Sequence, residues 1–96
     1  MTGEHNGPRS AWVYRGGGWR PVVVLPRPRG GAWAVGLGPP VRLWRLSARE
    51  ATALRPCRQS PARTVQSLRA VGRRYGITAE ARRLLDEVAG RGRAPR

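Results

Sequence analysis

A chain of 96 residues is long enough for one domain and gives it only a thin core. Its 19 basic residues stand against 5 acidic ones, a formal charge of +14, which attracts polyanions and disfavours basic partners. One cysteine excludes an internal disulfide, and no apolar run approaches the ~18 residues that a membrane helix needs.

Every basic residue is Arg, Phe is absent, and Ala, Gly and Pro abound. That is the usage of a very GC-rich genome, such as an actinobacterium or its phage. Codon bias accounts for Arg in place of Lys. It does not account for the shortage of acids, whose codons such genomes also supply. The N-terminus, MTGEHNGPRS, is polar and lacks a signal-peptide apolar region, so the expected localisation is cytoplasmic.

Residues 1–10 hold no apolar anchor and are expected to form a disordered tail. His5, the only histidine, lies there with no second metal ligand nearby. A domain is expected over 11–90, with sheet and short helix in 11–56 and a helical hairpin in 60–90. Residues 91–96 read as a basic tail.

Residues 11–14 begin the sheet, with Trp12 and Tyr14 on one face by period-2 alternation. Gly16-Gly17-Gly18 permits a tight reversal, as a hairpin or a short loop. It is not a phosphate loop, which needs Gly-Lys-Ser/Thr opening a helix. Residues 19–25 form a second strand. Val22 to Leu25 are apolar on both faces, which predicts a central, doubly covered strand. Pro26 to Gly31 is a turn by composition, with Arg27 and Arg29 at its tip. In the third strand, 32–37, Trp33, Val35 and Leu37 face one way and small residues the other. Gly38-Pro39-Pro40 interrupts, and 41–46 is the fourth strand. There Val41 and Leu43 face one way; Arg42, Trp44 and Leu46 face the other.

Ser47-Ala48-Arg49-Glu50 has the form of a capping box, opening a short helix to about Leu54. Short strands with tight loops and then a helical turn resemble an SH3-like small barrel of the Tudor or KOW type, over residues 12–56. The resemblance rests on Trp19 to Val23, on the strands that follow and on the Leu46 to Glu50 turn. It implies a partly rolled sheet that binds nucleic acid, peptide or ribosomal RNA. At least two of the four tryptophans are expected in the core, with Trp44 the candidate for exposure because Arg42 shares its face.

Ser60-Pro61 sets an N-cap and a first-turn proline for a helix to about Tyr75. Val65, Leu68, Val71, Gly72 and Tyr75 fall on one stripe. Arg63, Gln66, Arg73 and Arg74 fall opposite, with Arg69 on the flank. Gly76 is a C-cap. Thr78 caps a last helix from Ala79 to about Ala89, whose stripe is Ala81, Leu84, Leu85 and Val88, and Gly90 is expected to stop it. Residues 64–89 resemble a helix-turn-helix unit, with Gly72 at the small position before the turn. Arg82 stands where that motif has an apolar residue, and its second helix carries Glu80, Asp86 and Glu87. The favoured reading is therefore an αα-hairpin packed on the sheet, in which Arg82–Asp86 and Arg83–Glu87 can pair along the helix.

One tail histidine, one Cys57 and one Asp supply no catalytic set and no metal site, and no cofactor motif is present. The expectation is an α+β protein: an antiparallel, partly rolled sheet of about four strands, a short capping helix and a helical hairpin. Its expected function is sequence-tolerant nucleic-acid binding without catalysis. The residues for it are Arg63, Arg69, Arg73, Arg74, Arg27, Arg29, Arg42 and Trp44. The alternatives are an interaction module, such as a phage or mobile-element component, that meets an acidic protein, and a binder of anionic lipid headgroups. DNA against RNA, strandedness and oligomeric state stay open.

Overall fold

The structure, a computed structural model, describes residues 7–91. Five strands and three helices follow in the order β1 (Arg9–Arg15), β2 (Gly18–Pro26), β3 (Ala32–Leu37), β4 (Val41–Leu46), α1 (Ala48–Thr52), β5 (Arg55–Pro56), α2 (Pro61–Tyr75) and α3 (Ala79–Arg91). The architecture is α+β. Neighbouring strands of the sheet all pair antiparallel, in the order β4-β3-β2-β1-β5. Glycine and proline turns make β1 to β4 a meander. After α1 the chain crosses to the far edge, where Arg55 and Pro56 pair with Trp12 and Ala11.

β2 is central and covered on both faces. Val23 and Leu25 point to the helices, where they meet Val35, Val41, Val65, Leu68, Leu84, Leu85 and Val88. Each such aliphatic, fully buried, contributes roughly 1.5–3 kcal/mol. Val22 and Val24 point the other way, into Ala11, Ala32, Ala34 and Leu46, with Val13, Trp44, Ala51 and Leu54 around them. The helical hairpin packs on the sheet because its two stripes have the first face to cover.

The second face is concave. Arg15 on β1 lies over the ring of Trp44 on β4, 4.7 Å from its centroid. Neighbouring strands sit about 4.8 Å apart, so a flat sheet would hold β1 and β4 roughly 14 Å apart. The contact requires a rolled sheet. Small residues allow the curvature: a Cβ on Gly36 would stand 2.6 Å from Val22 Cγ1 and 3.2 Å from the Trp44 ring. The sheet rolls without closing into a barrel, and this connectivity is loosely compatible with the SH3-like resemblance.

Several expectations are corrected. Arg9 and Ser10 belong to β1, not to a tail; Ser10 is buried and its hydroxyl lies 2.7 Å from that of Thr64 on α2. Residues 1–6 and 92–96 of the expected tails lie outside the described residues. The short helix stops at Thr52, and β5 begins at Arg55 after two intervening residues. α3 runs through Gly90 to Arg91, since Gly90 lies in open space with no contact to turn the chain. Tyr75 is exposed rather than part of the inner stripe. No tryptophan is fully buried; Trp12, Trp33 and Trp44 are half-buried and Trp19 is exposed.

The turn between α2 and α3 is bonded to the sheet. Val41 N–H donates to Gly76 O and Thr78 N–H to Val41 O, with Ile77 bridged to Val41. Gly72 permits this: a Cβ there would meet Ile77 Cγ1 at 2.1 Å. Thr78 caps α3, accepting from Ala81 N–H at 3.2 Å.

Candidate nucleic-acid interface

The acid-free helix face forms as its spacing predicts. Ser60 accepts the Arg63 N–H and Pro61 opens the first turn, which fixes where α2 starts and hence which residues face out. Arg63, Arg73 and Arg74 are exposed, and Arg73 also lines the groove between α2 and α3 with Arg69, Arg82 and Asp86. Arg73 and Arg74 also occupy the last turn, where cations suit the helix dipole. Arg69 is different. It is half-buried and bonded to Asp86 of α3, so the Asp86 expected to pair with Arg82 along its own helix pairs across the hairpin instead. That neutralises Arg69.

Arg27 and Arg29 sit in the β2–β3 turn, away from α2's outer face. Arg29 is exposed; Arg27 is half-buried, with its guanidinium 5.0 Å from the centroid of Trp33. Arg45 lies over the same ring at 5.5 Å. Arg42 and Trp44 lie on the other face of the sheet from α2 and α3. Arg42 is exposed and donates to Pro39 O at 3.3 Å. Trp44 is covered by Arg15, and its Nε1 is buried without a protein acceptor. The expected patch is therefore three separate groups: α2's outer face, the β2–β3 turn, and Arg42 with the covered Trp44.

A fourth group was not expected. The β1–β2 hairpin pairs Tyr14 with Trp19, their ring centroids 5.4 Å apart in an edge-to-face contact. They are 59% and 45% exposed, and Arg55 of β5 lies 4.5 Å above the Trp19 ring. The signal for it was present. A two-residue turn at Gly16-Gly17 puts Tyr14 opposite Trp19 by register alone.

Comparison with family models, with curated proteins and with solved structures finds no match. The site must be argued from its own chemistry. Among the described residues no three His, Cys, Asp or Glu side chains gather as a metal site, and no helix is long and apolar enough to cross a membrane.

The charges are segregated. Acids among the described residues lie only on α1 (Glu50) and α3 (Glu80, Asp86, Glu87). The strands β1, β2, β4 and β5 and the helix α2 carry arginine and no acid, and β3 carries neither. Glu50 is itself engaged: Ser47 N–H donates to its carboxylate at 2.8 Å, and the Glu50 N–H donates to Ser47 Oγ at 3.1 Å. The bond from the Ser47 backbone, then that from its hydroxyl, holds the Glu50 pKa below the ordinary value, and Arg15 adds to the effect.

Proposed function

We propose that this chain is a non-catalytic, sequence-tolerant nucleic-acid-binding accessory protein that grips its polymer through arginine–phosphate contacts. The observation that carries this reading is the segregation of charge. Arg63, Arg73 and Arg74 stand together on the outside of a helix with no acid, while the acids of the described chain are gathered on α1 and α3. A merely solvated basic protein gains nothing from that separation, whereas a phosphate backbone gains from an uninterrupted positive face. Phosphate contacts carry no sequence information, so affinity should be alike on unrelated sequences. The second helix of the hairpin is poorly suited to reading base edges. Its N-terminal turn is tied to β4, and its outer face mixes Arg82 and Arg83 with Glu80 and Asp86.

A salt titration tests the reading. On duplex DNA each neutralised phosphate adds roughly 0.9 to the magnitude of the log–log slope. Replacing Arg63, Arg73 and Arg74 together by Gln should flatten the slope by up to about 2.7. An Arg82/Arg83 double variant should change it less. An unchanged slope in the triple variant means that the face is only solvated. If no polymer binds at moderate salt while an acidic protein does, the interaction-module alternative replaces this one.

A further inference from the structure

The edge-to-face contact of Tyr14 with Trp19 ties β1 to β2 and still leaves both rings exposed. Both rings stand on the sheet face that the helices cover, yet they lie on the far end of the hairpin, beyond the part that α2 and α3 bury. Two large aromatic side chains side by side in water are costly unless something covers them. A groove of about 290 Å³ joins them to α1, with Val13, Leu46 and Leu54 among its lining residues. The turn that ends the hairpin is Gly16-Gly17. Nothing lies within 4 Å of where a Cβ on Gly17 would stand, so the tip presents bare backbone and no side chain to block approach.

The surroundings of this surface are cationic. Arg55 stacks on Trp19 from the same face, while Arg15 and Arg20 flank the turn and alternate onto the other face, where Arg15 covers Trp44. Arg20 commits its Nε–H to Arg15 O, which fixes the guanidinium beside the hairpin. Glu50 is the acid in the groove wall, and its carboxylate is held by Ser47. Flat, partly exposed π-faces beside the Arg55 guanidinium, on a protein of strong positive charge, match a polymer with flat bases and a charge on every linkage. Only unpaired bases can use the rings, because a duplex already stacks its own bases on both faces.

We propose that the Tyr14–Trp19 face of the β1–β2 hairpin is a base-stacking platform, and that the polymer it takes is single-stranded nucleic acid in preference to duplex. Arg55, which lies over Trp19 on the same face, meets a phosphate beside the stacked base. This rests on the nucleic-acid reading above and names the substrate class for it. Such stacking tolerates any base, because every base has a π-face.

The test compares three probes on the full chain: an oligo-dT of about 12 nucleotides, a length within known single-strand site sizes, an abasic oligomer of equal length, and a duplex. Wild type should bind oligo-dT more tightly than either other probe. Trp19→Ala and Tyr14→Ala should each weaken oligo-dT binding by roughly 5- to 100-fold, the equivalent of one lost stacking contact. Binding of the abasic oligomer should be unchanged, and Trp19→Phe should recover much of the loss. Each ring is exposed but takes part in a cross-strand pair, so the alanine variants should melt slightly below wild type and stay fully folded at the temperature of the binding assay. The Arg63/Arg73/Arg74 variant should weaken all three probes alike. Equal binding of oligo-dT by wild type and the alanine variants overturns the platform and leaves the phosphate reading standing. Equal binding of oligo-dT and the abasic oligomer by wild type does the same. Failure to bind any of the three probes removes both proposals, and uptake of poly-Glu in that case identifies an acidic polypeptide as the occupant.

Discussion

The two faces of the sheet are buried by different means. On one, long aliphatics from β2, β3 and β4 meet the stripes of α2 and α3, and large side chains fill the space between layers. On the other, alanines and Gly36 let the sheet curl inward, and α1 with the Trp44 ring closes what is left. The first face depends on added elements and on volume. The second depends on the smallness of its own residues. A chain with little length to spare covers both sides of β2 this way without a third layer of helices.

If that contrast is right, the faces should fail in opposite ways. Removing volume should injure the helix-covered face most. Leu85 is fully buried there, and Leu85→Ala should cost about 2–5 kcal/mol by urea denaturation. A loss well below that range would mean that α3 collapses to fill the gap. Adding volume should injure the concave face. Gly36→Ala places a methyl against Val22 and the Trp44 ring, and overpacking of this kind costs about 1–3 kcal/mol. An unchanged melt would show that the curl can relax.

The helix-covered face also holds one polar tie, between Ser10 and Thr64. Thr64→Val strands the buried Ser10 hydroxyl and should cost about 1–3 kcal/mol. Adding Ser10→Ala should return part of that loss, because both polar groups are then gone. A double variant worse than the sum of its singles would break this account. The smallest effect belongs to α1 on the concave side. Ser47→Ala should cost about 1 kcal/mol through the lost cap. The same box links stability to pH. Glu50 has a lowered pKa in the folded chain, so its contribution is full above the ordinary carboxylate value and is lost as the pH falls through the lowered one. Ser47→Ala should therefore show a weaker acid dependence than wild type in paired melts.

Much of this was legible in the residues. Gly38-Pro39-Pro40 and Pro26 to Gly31 punctuate the strands, and period-2 alternation assigns Val35 and Leu37 to one face and Ala34 and Gly36 to the other. The Ser47–Glu50 box and the Ser60-Pro61 start are local chemistry, and local chemistry is what a sequence states most directly. β5 was not legible, because two residues, one of them proline, carry no period. Ser10 read as tail because a lone serine gives no sign that a threonine 54 residues on will meet it. Trp44 was expected outside from its neighbour Arg42. The residue that covers it, Arg15, reaches it only because the sheet rolls, and rolling is a property of the whole meander. For the same reason the outward set on α2 was readable from helical spacing, whereas the grouping of Tyr14, Trp19 and Arg55 needed the hairpin register and β5 together.

The ends of the sheet give the arginines one more consequence. β4 is one edge strand and carries Arg42 and Arg45; β5 is the other and consists of Arg55 and Pro56. An open edge is a template on which a second copy can add its own strand. Here two approaching edges bring guanidinium against guanidinium, proline offers no N–H to one of them, and the Gly76–Thr78 turn already occupies Val41 on the other. The charge that suits a phosphate backbone thus also keeps copies of this chain from joining edge to edge into aggregates, and neutralising Arg42, Arg45 and Arg55 would expose it to self-association whether or not a polymer is bound.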